Sequence, residues 1–350
     1  MEDRDSTLLT VRFARENGLD VSAVLGESDL SRKSDPYRLL AGAAVSNRQP
    51  VLRQITALRI DRPLRFGNSV IQLSNAIDLA LSHGIGRIYV PGFWWISPLT
   101  SGHVAEIELC CEDAAPDEVL LSGCFYYKQS LRPLYPDRPK TIEEFRGNLL
   151  RARVQIPLLD APPPLPDDHL VIHIRSGDVF EDRGHPLYGQ PPLAFYTLIL
   201  RKAPWRQVTL VSEDRRNPVI DRLLQSSGPG LPPVVHRQAS LEADLQLLLR
   251  ARSLAGSLGT FMPAVLALSG NVRRVLCFGG LWYGATLRTQ ADLFVVKDLE
   301  GHYSRSVLAS NWRNDPFQRA LMLDYPETAL GLVQLPRQRP NQPPRAEAGS

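Results

Sequence analysis

The sequence predicts an α/β protein of two Rossmann-like domains facing across a cleft, and three observations predict it. From Leu170 to Phe278, short apolar runs alternate with segments of helical period. That order builds a parallel sheet with helices on both faces. A similar strand–loop–helix–strand unit stands earlier, between Arg59 and Val90. Between the two lies Pro162-Pro-Pro-Leu-Pro166, a run stiff enough to act as a connector. At 350 residues the chain is long enough for two domains of ~100–200 residues, each with its own core.

The expected organisation follows. Residues 1–160 form an N-terminal α/β domain, and 161–168 a proline-rich linker. Residues 169–284 form a C-terminal Rossmann-like domain. Residues 285–335 are a candidate for packing back on the first domain, and 336–350, rich in Pro, Arg and Gln, are expected to be disordered.

Each element has its own signal. Val70, Leu73, Ile77 and Leu81 recur at spacings of three and four, a helix face, and Gly84 stands where a C-cap glycine belongs. Arg87–Val90 then reads as a strand, and Ile142–Arg151 as a helix. After the proline run, Leu170–Ile174 is a strand, continuously apolar except for His173, as a buried parallel strand should be. Pro192–Ala203 is a helix, Val208–Val211 a strand, Pro218–Leu224 a helix and Val234-Val235 a short strand. Ser240 caps a helix through Arg250 with Leu241, Leu245 and Leu248 on one face. Ser253–Ala255, Met262–Leu268 and Val275–Phe278 complete the series as strand, helix and strand.

Composition narrows the function classes. Hydrophobic residues make up 43% and charged residues 22%, which excludes wholesale disorder and fibrous repeats. Basic and acidic residues nearly balance, 40 against 37, so no nucleic-acid partner is expected. Cys110, Cys111, Cys124 and Cys277 show no C-x-x-C spacing, so no metal site is expected; a bridge from Cys110 or Cys111 to Cys124 stays open. No cofactor is implied. The first twenty residues lack an apolar h-region, so no signal peptide is expected, and a cytoplasmic location follows if the chain is complete. Residues 253–272 carry no charge, but three Gly, three Ser and Pro263 make them a strand, loop and helix rather than a transmembrane segment.

Chemistry is expected at the carboxyl ends of the strands, where open parallel sheets bind ligands. His173 and Arg175 share one strand face. A buried Arg needs an anion. Asp178 supplies one if the pair merely closes the loop, and a phosphate supplies one if Arg175 points into a cleft. Ser257-Leu-Gly259-Thr260-Phe261 joins a strand to a helix, with Thr260 as the expected N-cap and free amides fit for an anion. Gly67-Asn68 opens the first domain's helix. Together the three loops suggest a diphosphate between domains. Val211-Ser-Glu213-Asp214 places acidic groups at a further strand end. Asp244 lies on an apolar stripe, so it either takes a donor pair such as guanine N1–H and N2–H2 or pairs with Arg215 or another Arg.

The order Gly67-Asn68-x-x-x-Gln72, then His173-x-Arg175-x-x-Asp178, then Ser257–Phe261 resembles the fucosyltransferase superfamily over roughly residues 60–280. It is similar to the α1,2-, α1,6- and protein O-fucosyltransferases of GT-B fold. Ser176 replaces the second Arg of many members, and Ser-Leu-Gly-Thr-Phe replaces their Ser/Thr-Phe-Ser loop. The resemblance implies a metal-independent, inverting transfer of fucose from GDP-fucose to a glycan or protein acceptor. Arg175 would hold the β-phosphate, His173 and Asp244 the guanine side, Ser257 and Thr260 the diphosphate, and Gly67-Asn68 would face it. Glu181 and Asp182, just beyond the Arg175 loop, are candidate bases, and His185–Pro192, with Tyr188 and Gln190, would line the acceptor. A transferase using another nucleotide-sugar, and a non-catalytic GDP-sugar or glycan binder, are the alternatives.

Overall fold

The computed structural model describes residues 37–40, 55–98, 106–114, 118–126, 142–160, 163–182, 185–226, 230–256, 258–279, 291–309 and 311–335. The protein is mixed α/β and divides into two compact units, with the main boundary between Pro157 and Leu158 and with Ile142 and Glu143, at the start of the Ile142–Arg151 helix, grouped with the second. The expected disordered tail, 336–350, and Ser257 lie outside the described residues.

The first unit holds β1 (Tyr37–Leu40), β2 (Ala57–Ile60), α1 (Phe66–His83), β3 (Arg87–Tyr89), β4 (Ser97–Pro98), β5 (Ile107–Cys110), β6 (Leu120–Gly123), α2 (Ile142–Arg151) and β7 (Ala152–Gln155). Its sheet runs β1-β6-β2-β3-β5-β7-β4, parallel from β6 to β7 with antiparallel strands at the two ends. The α1 face predicted by spacing is the buried one: Val70, Leu73 and Ile77 are all but inaccessible. Gly84 ends the helix in the left-handed conformation, and its N–H donates to the Ala80 carbonyl. The helix begins one residue before Gly67, so Gly67 and Asn68 sit inside its first turn rather than in a loop ahead of it. Gln72 is fully buried. Its Oε1 accepts from Leu64 N–H at 3.0 Å, and its Nε2 donates to the Arg62 and Cys124 carbonyls at 3.2 and 2.7 Å. This side chain fastens two loops together, which satisfies polar groups that would otherwise be buried unpaired. The four cysteines are free thiols, so no Cys110 or Cys111 bridge to Cys124 is present.

The second unit holds β8 (His169–His173), α3 (Leu193–Arg201), β9 (Gln207–Val211), α4 (Pro218–Gln225), β10 (Val234–Arg237), α5 (Leu241–Arg250), β11 (Ser253–Gly256), α6 (Phe261–Leu268), β12 (Arg274–Phe278), β13 (Asp292–Asp298), α7 (Pro316–Asp324) and β14 (Leu330–Leu335). Its sheet runs β10-β9-β8-β11-β12-β13-β14, with every pair parallel except β13 and β14. Counted from β8, the first six strands stand in the order 3-2-1-4-5-6, the doubly wound order. Leu170, Ile172, Leu210, Ala255 and Leu276 fill the core with Phe195, Ile199 and Val219 from the helices. Each such buried Leu, Ile or Val contributes roughly 1.5–3 kcal/mol.

Strands β13 and β14 extend the second unit's own sheet beyond β12, with Phe294 and Val296 joining its apolar core. The proline-rich run is tied to α5. Leu165 is buried with its N–H on the Arg250 carbonyl at 2.9 Å, and Arg250 Nε donates to the Pro163 carbonyl at 2.9 Å. Leu241 is exposed, so the buried stripe of α5 runs through Asp244, Leu245, Leu247, Leu248 and Leu249. Residues 253–272 form β11 and α6 as expected. Among the described residues no helix is long and apolar enough to cross a membrane.

Candidate functional site

The strand order of the second unit reverses between β8 and β11. An open α/β sheet leaves a crevice at such a point, outside the carboxyl ends of the two strands. Register fixes what lies there. His173 is opposite Gly256 on β11 and Val211 on β9, so the loops after all three strands start level with one another.

Arg175 leaves the end of β8. Its side chain is 19% exposed, and Nη2 lies 3.3 Å from Asp178 Oδ1. Asp178 is itself 38% exposed, in the 3₁₀ turn Gly177–Phe180. The Tyr188 ring covers the guanidinium with its centroid 4.3 Å from Cζ. Gly259 closes in from the loop after β11: a Cβ on it would lie 2.6 Å from Arg175 Nη1, and its φ of +141° disfavours any side chain. The sequence-predicted Arg175 and Gly259 are therefore brought together, and a side chain at 259 would displace the guanidinium.

The backbone beneath Arg175 is tied from β9. Asp214 accepts from the Ser176 hydroxyl and from Gly177 N–H at 3.1 Å and Arg216 N–H at 3.0 Å. Burial opposes the Asp214 charge, but these hydrogen bonds outweigh it and hold the carboxyl below its ordinary value. Asn217 is fully buried. It caps α4 through Val219 N–H at 3.0 Å, and its Nδ2 donates to the Arg175 carbonyl at 3.0 Å. Ser212 donates to the Asp214 carbonyl at 2.8 Å and lies 2.8 Å from His236 Nε2. With that hydroxyl's proton already given, Nε2–H is the donor toward Ser212.

The His173 ring lies against Phe261, centroids 4.6 Å apart and planes tilted by 30°. Burial, and secondarily the Arg175 charge, push its pKa down to about 3, so the ring is neutral near pH 7. It offers a neutral donor or acceptor rather than a second cation. Phe261 is the first residue of α6. Thr260 holds the N-cap position, but its side chain makes no capping bond, because its backbone is already helical.

Asp244 does not lie beside Arg215. Arg237 Nε stands 3.4 Å from its Oδ1, yet neither atom has a hydrogen-bond partner, and burial, partly offset by Arg237, raises the carboxyl pKa. Glu181 is exposed and pairs with Arg216 at 2.9 Å, while Asp182 is exposed. Gly67 and Asn68 belong to the first unit. No group of three or more His, Cys, Asp and Glu side chains among the described residues is arranged to hold a metal ion. Asn217 gave no sequence signal beyond its place before Pro218, a helix-start pattern.

Neither a protein-family model nor a curated protein matches the chain. The chain is loosely similar to several solved structures, among them the following three. The E. coli heptosyltransferase WaaC with ADP is 11% identical at a TM-score of 0.35, over 67% of this chain and 94% of that one. The dodecameric iron-containing heptosyltransferase TibC in complex with ADP-D-beta-D-heptose is 12% identical at 0.40, over 68% and 62%. A family 9 glycosyl transferase from Veillonella parvula is 9% identical at 0.38, over 77% and 97%.

Proposed function

We propose that the chain is a glycosyltransferase whose second unit holds the diphosphate of a nucleotide-sugar donor at the β8–β11 switch point. The observation that carries this reading is Arg175: a largely buried guanidinium at the switch point, with Gly259 pressed against it and an exchangeable, half-exposed Asp178 as its anion. A ligand phosphate takes the place of Asp178, because a guanidinium fork meets two phosphate oxygens at once.

In the reaction, the acceptor hydroxyl oxygen bonds to the anomeric carbon while the bond from that carbon to the phosphate oxygen breaks. The bonding pair leaves on the β-phosphate. Arg175 stabilises the charge that develops there, as an oxyanion hole does. The hydroxyl proton passes to a carboxylate, for which Glu181 and Asp182 are the candidates. His173, neutral, borders the same site without adding charge.

The finer reading takes GDP-fucose as donor. It rests on the order of the three motifs and on the buried, unsatisfied Oδ1 of Asp244, which a guanine N–H would satisfy. Another nucleotide-sugar is favoured by a different observation: Arg237 already stands beside that carboxylate. A thermal-shift panel separates them. Ligand that binds only the folded state raises stability by about 2.7 kcal/mol at ~100 times its Kd. A rise with GDP well above ADP and UDP supports guanine. Equal rises with all three and with pyrophosphate support a diphosphate site blind to the base. Absence of a rise with any of them overturns the reading, and binding without donor turnover leaves a binder instead of an enzyme.

A further inference from the structure

We propose that Tyr188 is a positioning residue for Arg175: its ring holds the guanidinium plane in place when Asp178 gives way to a phosphate. This rests on the reading of Arg175 as the diphosphate group. The geometry concerns what remains of the arginine's support once its carboxylate partner is exchanged. Asp178 holds one nitrogen at 3.3 Å from a half-exposed position. Tyr188 instead covers the flat face, 4.3 Å from Cζ. Attraction between a guanidinium and an aromatic face needs no N–H, so it persists while the edge binds an anion.

A residue that positions another must itself be fixed. Tyr188 ends the short 3₁₀ turn Pro186–Tyr188, and that turn is fastened at several points. Its N–H donates to the His185 carbonyl at 2.9 Å, and its carbonyl accepts from Gln190 Nε2 at 2.8 Å. Gln190 is fully buried, and its carbonyl accepts from the Tyr303 hydroxyl at 2.5 Å. Trp312 N–H donates to the Pro186 carbonyl at 3.1 Å. Gly189 lies so close to the Val307 carbonyl that any Cβ would overlap it. The ring therefore stands on a platform anchored in the core, while the Arg175 backbone is tied separately through Asn217 and Asp214.

The test is a double-mutant cycle on the full chain with pyrophosphate as probe, read by calorimetric titration, with melting temperature recorded for each variant. Tyr188→Leu keeps apolar volume but removes the aromatic face; Tyr188→Phe keeps the face. The expected result is ~2–5-fold weaker binding for Tyr188→Leu, the scale of an exposed cation–π contact, and parent affinity for Tyr188→Phe. In the Arg175→Ala background, Tyr188→Leu should then change nothing. Equal weakening in both backgrounds, or none in the parent, overturns the positioning role while the diphosphate reading stands. If Arg175→Ala alone leaves pyrophosphate affinity unchanged, the diphosphate reading falls and this inference with it.

Discussion

Replacing Gly259 by Ala is a sharp local perturbation of the site, and its size follows from two features. The backbone there has φ +141°, which a non-glycine residue occupies at a cost of about 1–3 kcal/mol. The added Cβ would stand 2.6 Å from Arg175 Nη1, a distance at which one of them must move. The guanidinium is the more flexible partner, so it is displaced from its place between Tyr188 and the loop. Loss of one charge-assisted hydrogen bond to a ligand phosphate costs about 1.5–3 kcal/mol, or roughly 10–150-fold in affinity. The strain alone lowers the melting temperature by roughly 2–12 °C for a unit of this size. Gly270→Ala is the control: nothing lies within 4 Å of its Cβ position, so neither quantity should change. Thermal melts and pyrophosphate titrations on both variants read the two effects. A Gly259→Ala protein that melts and binds like the parent would refute the close approach of this loop to Arg175.

Other outcomes follow from the same geometry. Asp214→Ala should release the Ser176–Gly177 turn and cut turnover at least tenfold by loosening Arg175, measured beside pyrophosphate affinity; unchanged values would show that the turn holds without it. His173 has its folded pKa depressed to about 3, against an ordinary value near 6.5. The unfolded state therefore binds the extra proton, and stability is lost as pH falls below about 6.5 toward 3. Between pH 6.5 and 5 the loss approaches ~2 kcal/mol, and urea melts of His173→Gln should show a flatter dependence over that range. Either Glu181→Gln or Asp182→Asn should lower turnover by ~10²–10⁴-fold with nucleotide affinity unchanged. If neither does, the base is not in this loop.

The second sheet is largely legible in the sequence because its central parallel strands, β8, β9, β11 and β12, are mostly buried on both faces. Runs such as Leu170–Ile174 and Val275–Phe278 carry no polar alternation, and the helices between them begin with readable signals at Ser240 and Pro218. β14 is harder to read: only Leu330 is buried and Val333 and Gln334 are exposed, so this antiparallel edge strand lacks the continuous apolar run of its neighbours. Arg175 and Gly259 stood out as strand-end residues. Their contact did not, since it depends on β8 and β11 being neighbours, a pairing of residues 83 apart in the chain that no local spacing encodes. Asp244 shows the opposite limit. Its apolar stripe was visible, but which arginine meets it depends on the β10 edge strand and so on tertiary packing.

Whether Arg175 binds a diphosphate is decided by calorimetric titration of nucleoside diphosphates and pyrophosphate into the parent, Arg175→Ala and Arg175→Lys. The variants should stay folded. The Asp178 pair is solvent-accessible and contributes at most about 1 kcal/mol, and the Tyr188 contact about as much, so melting should fall by only a few degrees. The parent should bind measurably, Arg175→Ala roughly 10–150-fold more weakly, and Arg175→Lys with a substantial loss, because a point charge lacks the two-pronged fork. Folded Arg175→Ala protein that binds the diphosphates as tightly as the parent would contradict this role of Arg175.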